Sequence, residues 1–118
     1  MKNECCIWRA EIIDDTLKTL FQADGALGSG NFITPQNREI AKTYIKVQKE
    51  RLPIIVSKAV SECGGISEYE KNAAEDLYNH LDEIEKDIEK GKNIHEKVIE
   101  IDKKYALPNY EAFSRCIL

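Results

Sequence analysis

Apolar residues return at steps of three and four along nearly the whole chain, and that period leaves little room for anything but helices. Between Glu4 and Ala23, Cys5, Trp8, Ile12, Ile13, Leu17, Leu20 and Phe21 share one stripe. Ile40, Ala41, Tyr44, Ile45, Val47, Gln48 and Leu52 form the buried arc of a second helix, whose register resumes beyond Pro53 at Ile55, Ala59 and Cys63. Tyr69, Ala73, Leu77, Leu81, Ile84 and Ile88 give a third stripe, and Ile94, Val98, Ile101 and Tyr105 a fourth. Leu52 to Val56 is the one candidate strand. Its neighbours are helix formers and no second strand offers it a ladder, so helix is the reading there as well.

Cap chemistry sets the boundaries. Asp24-Gly25 offers a stop to the first helix, and the glycines that follow make 24–33 a loop. Thr34-Pro35 reads as N-cap and first helical residue, since proline lacks only an N–H that would have no intrahelical partner. Pro53 either kinks one long helix or separates two, and Gly64-Gly65 ends the run. Ser67-Glu68-Tyr69-Glu70 is a capping box, in which the serine hydroxyl and the Glu70 carboxylate each serve the other's backbone N–H. Gly91 ends that helix, Asn93 caps the next, and Leu107-Pro108 closes it before a short final helix carrying Tyr110, Phe113 and Cys116. The predicted fold is all-α: a small bundle of four to five helices, with an acidic antiparallel helical hairpin over residues 68–106. Residues 1–118 make a single helical domain, since a chain of this length buries roughly two thirds of its unfolded surface, enough for one core.

No run approaches the roughly 18 apolar residues of a membrane span, and Met1 to Asp15 lacks the apolar segment of a secretory signal. A cytoplasmic protein without a membrane anchor is expected. In a reducing cytosol Cys5, Cys6, Cys63 and Cys116 read as small buried hydrophobes. No C-x-x-C knuckle is present, so neither metal nor another cofactor is expected.

Charge is divided unevenly. Residues 1–65 hold 9 basic and 8 acidic side chains, and residues 66–118 hold 8 and 13. Glu75, Asp76, Asp82, Glu83, Glu85, Asp87 and Glu89 make the third helix a candidate docking face for a partner protein with a basic surface, and like charge disfavours direct nucleic-acid binding. Arg38, Lys42, Lys46 and Lys49 lie within about 80° on the second helix. With the Gly-rich loop before it, Gly28, Ser29, Gly30, Thr34, Arg38 and Lys42 could hold an anionic small molecule such as a nucleotide, although the glycines match neither a P-loop nor a dinucleotide fingerprint. His80 and His95 do not pair for metal or nucleophilic chemistry, so no catalytic set is read and the protein is not expected to be an enzyme. The leading expectation is a non-enzymatic inhibitor or immunity-type factor that neutralises a partner protein. The alternatives are the anion binder and a homo-oligomer assembled through Trp8 and Tyr110-Phe113.

Overall fold

The computed structural model describes residues 4–28 and 34–117. Four helices account for nearly all of them: α1 (Glu4–Ala26), α2 (Pro35–Cys63), α3 (Glu68–Glu89) and α4 (His95–Ile117), with no strand among the described residues. Side-chain pairs give the directions. Gln48 and Arg51 of α2 meet Thr19 and Asp15 of α1, Lys42 and Lys49 meet Glu89 and Asp82 of α3, and His95 of α4 meets Asp24 near the end of α1. In the first two sets the residue number rises on one helix as it falls on the other, as it does where Lys97 and Lys104 of α4 meet Asp87 and Asp76 of α3, so successive helices run up and down. The resulting bundle measures 46 × 24 × 23 Å.

The caps expected from the sequence are in place. Thr34 accepts from the Asn37 N–H at 3.1 Å, and the Ser67–Glu70 box closes at 3.1 and 2.9 Å. Gly64 ends α2 at φ 68°, and Asn93 caps α4 by accepting from the His95 N–H at 2.8 Å. Gly91 turns the chain from α3 to α4 at φ 74°, and the Arg38 guanidinium lies 3.4 Å from where a Cβ would stand. The turn thus needs glycine for its backbone and for the side chain packed over it.

Two boundaries, at the ends of α1 and α4, differ from expectation because tertiary packing outweighs a local stop signal, whereas the long helix expected through Pro53 is present. α1 runs through Gly25 to Ala26, since Asp24 is buried against His95 and Leu27 is buried in the core just beyond. α2 is one helix through Pro53, whose ring lies on the exposed side where the carbonyl left without a donor can reach water. α4 continues through Pro108 instead of ending there, so the expected fifth helix is the last part of the fourth. Asn109 donates to Asp14 at 3.0 Å and Cys116 is bonded to Cys6, both of which hold the end of α4 on α1.

The cysteine reading is corrected outright: Cys5 is bonded to Cys63 and Cys6 to Cys116. Adjacent residues on a helix point about 100° apart, so one cysteine of the pair faces α2 and the other α4. A single turn of α1 is thereby tied to the far ends of two neighbours.

Ile12, Leu20, Ile45, Leu52, Leu77, Leu81, Ile84, Ile88, Ile94 and Val98 form the sealed centre of the core, with Trp8 half-buried against it. One polar cluster is buried among them. The Gln48 amide donates to Thr16 Oγ1 at 3.1 Å and its carbonyl oxygen accepts from Thr19 at 3.0 Å.

A candidate protein-docking face

The seven carboxylates singled out on α3 are mostly engaged within the chain. Asp82 and Glu85 both accept from Lys49, at 2.8 and 3.1 Å, and Asp82 also pairs with Lys86. Glu89 pairs with Lys42 at 2.9 Å, while Glu83 and the buried Asp87 share Lys97 of α4. Asp76 accepts from Lys104 at 2.8 Å and from the buried Tyr105 hydroxyl, with His80 Nε2 at 3.5 Å. Glu75 alone of the seven has no side-chain partner among the described residues.

These contacts leave electrostatic marks. Burial tends to raise the Asp76 carboxyl, but the donors from Lys104 and Tyr105 outweigh it and hold the group below its usual range. Burial, followed by the bond to Asp76, pushes the Tyr105 phenol up. Lys49 is held charged well above the usual lysine range by its bond to Asp82, despite partial desolvation. Two of the four basic residues of the α2 stripe, Lys42 and Lys49, therefore neutralise three acids of α3, and ion pairs from α4 take up most of the remaining acids.

Of the anion-site residues, Ser29 and Gly30 lie outside the described residues. Lys42 is committed to Glu89, and the Thr34 hydroxyl to the Asn37 N–H. Arg38 lies across Gly91 with its Nε buried and without a partner among the described residues, and Gly28 is an exposed turn residue at φ 60°.

The outer side of α2 is different. Its inward stripe, Ala41, Ile45, Gln48, Leu52, Ile55 and Ala59, is buried as the period requires. One residue earlier at every step runs a second stripe: Ile40, Tyr44, Val47, Arg51, Ile54 and Lys58. Ile40 is 50% exposed, Tyr44 40%, Val47 46% and Ile54 59%, so three residues expected inside belong to a surface row. Periodicity sets the direction of an apolar face but not its width; two adjacent stripes on one helix mark two separate packing sides. That doubling was the available signal.

A groove of about 500 Å³ runs beside this row, floored by Thr19 and Gln22 of α1 and walled by Ile40, Tyr44, Val47 and Arg51. Arg51 is steadied by Asp15 at 3.2 Å. Steps of four and three, repeated from residue 40 to 58, are the spacing by which one helix packs along another. A second groove, of about 530 Å³, lies beside Cys6, but its Arg9 is already taken by Glu70 at 2.7 Å. The other exposed aromatic residues, Tyr69, Tyr78 and Tyr110, form no comparable row at helical spacing.

Comparison of the chain with protein-family models, with curated proteins and with solved structures returns no match.

Proposed function

We propose that this chain is a non-enzymatic binding protein that works by stoichiometric contact with a partner protein, in the manner of an inhibitor or immunity-type factor, and that the contact is made by the outer stripe of α2. The observation that carries this reading is the row Ile40, Tyr44, Val47 and Ile54, which leaves large apolar side chains in water at helix-packing spacing on a domain whose core is otherwise well sealed. The acidic face of α3 has the weaker claim, because six of its seven carboxylates already hold intramolecular partners. The anion-binding alternative loses support for the same kind of reason, with Lys42 engaged. The two disulfides favour an oxidising compartment over the reducing cytosol.

The test is affinity capture from the source's own extract under oxidising conditions, using three baits. Wild type should retain a partner at a fixed ratio, Val47→Asp/Ile54→Asp should lose it, and Glu75→Lys/Glu83→Lys should keep it. Loss with the α3 variant and retention with the α2 variant would return the docking site to the acidic face. Since Val47 and Ile54 are exposed, their replacement should leave the melting curve nearly unchanged.

A further inference from the structure

The outer stripe of α2 is close to self-complementary when it is reversed end for end. Pair residues whose numbers sum to 98: Ile40 meets Lys58, Tyr44 meets Ile54 and Val47 meets Arg51, so every member of the row finds another member and none is left over. That is the condition for a two-fold antiparallel helix pair, in which the same patch serves both copies. A parallel pair would stack each residue on itself and set Arg51 against Arg51 and Lys58 against Lys58.

Charge favours the same direction. Glu39 flanks one end of the row and Lys58 closes the other, so reversal brings opposite charges together at both ends. Nearer the middle, Glu50 and Arg51 of each copy flank the axis, so two carboxylates and two guanidinium groups make a neutral cluster beside the Val47–Arg51 contacts. All four of these residues are exposed. Tyr44 and Ile54 then cover one another on either side of that cluster, twice over.

We propose that the occupant of this face is a second copy of the chain, bound antiparallel through α2 with its two-fold axis crossing the outer face between Val47 and Arg51. The proposal rests on the reading that the outer stripe of α2 is the docking face, and it names the partner. The two copies meet through Ile40, Tyr44, Val47 and Ile54 at the centre and through Glu39–Lys58 pairs at the ends.

Sedimentation equilibrium on the oxidised full chain tests this. Wild type should show twice the 13.5 kDa mass of one chain at concentrations on the order of 10 to 100 μM. Ile54→Asp should raise the dissociation constant at least about tenfold, because it sets a carboxylate against the Tyr44 ring of the other copy at two places. Glu39→Lys and Lys58→Glu should each weaken the pair about threefold, and the double reversal should bring it back to within about twofold of wild type. The rescue keeps the test independent of any damage done by a single variant. A wild type that stays at one-chain mass throughout, or a dimer unmoved by Ile54→Asp, overturns the proposal. A monomeric wild type whose captured partner is still lost on Val47→Asp/Ile54→Asp would overturn the self-pairing and leave the docking face standing, whereas a capture indifferent to those variants would remove both.

Discussion

The two flanks of α2 are built from the same helix and the same period, yet they have opposite fates. The flank turned to α3 carries Lys42 and Lys49, which are matched by Glu89, Asp82 and Glu85. The flank turned away carries Ile40, Tyr44, Val47 and Ile54, and nothing among the described residues covers them. Between them lies the buried stripe from Ala41 to Ala59. A surface rich in charge is thus the finished one, and the surface that still has free energy to gain on contact is apolar. Surface ion pairs contribute little once formed, whereas each exposed apolar side chain retains a burial term of order 1 kcal/mol or more.

The largest test of this contrast uses two residues that are isomers and near neighbours. Leu52→Ala removes a side chain that is 1% exposed and should cost roughly 2 to 5 kcal/mol in urea unfolding. Ile54→Ala makes the same kind of cut at a side chain that is 59% exposed and should stay within about 0.5 kcal/mol. Similar losses at both positions would mean that the outer flank is already covered in solution, as it would be in a stable dimer, so the measurement belongs at a concentration where the chain is monomeric.

Next in size comes the tether at the end of α2. Replacing Cys5 and Cys63 by serine should cost roughly 2 to 4 kcal/mol, chiefly through the wider freedom of the unfolded chain, and denaturant midpoints report it. Because Cys6–Cys116 remains, α4 should hold its place while the end of α2 frays, which hydrogen exchange over residues 56–63 would resolve. Gln48→Ala follows at roughly 1 to 3 kcal/mol, since it empties a buried site and removes two bonds between α1 and α2, while Thr16 and Thr19 keep the carbonyls of Ile12 and Asp15.

Much of this fold is legible in the sequence because its signals are local. Thr34, Ser67 and Asn93 cap their helices through side chains within three residues, and Ile94, Val98, Ile101 and Tyr105 point inward as their spacing requires. What escaped is the information carried between helices. The charge pattern lets the lysines of α2 either pair with the acidic helix or stay solvated, and only the register of the two helices decides that Lys42 and Lys49 are the ones that pair. Phe21, Ile40, Tyr44, Val47 and Tyr69 fit an apolar stripe, yet the neighbours end before they are covered. The adjacent Cys5 and Cys6 looked unsuited to any site, although adjacency is what lets one helical turn reach two partners. Sequence carries the docking face only as a doubled stripe, which periodicity alone cannot tell from a broad buried arc.

The smallest effect, and the one that separates the two flanks most selectively, is the response to acid. Asp82 and Glu89 are held below their ordinary values of 3.8 and 4.5 by bonds from Lys49 and Lys42. In Glu70, hydrogen bonds from Arg9 and Ser67 outweigh the opposing effect of burial, and its carboxyl is lowered too. A depressed carboxyl takes up its proton later in the folded chain than in the unfolded one. Its contribution is complete above the unfolded value and is lost as pH falls through the folded value. Glu11 has the reverse sign: burial, with Asp14 and Asp15 nearby, raises it, so it opposes folding at neutral pH and that opposition is relieved on acidification. The melting temperature should therefore hold or rise slightly from pH 7 down to just above 4.5, then fall. Lys42→Ala/Lys49→Ala should lower the neutral value by about 3 °C and make the fall below 4.5 shallower, because the largest bonds that depress Asp82 and Glu89 are gone while Lys86 still holds Asp82 down. Ile54→Ala, on the other flank, should reproduce the wild-type profile. An acid response that is the same for all three proteins would show that the α3-facing pairs contribute nothing to stability, and would remove the distinction between the two flanks on which the docking argument rests.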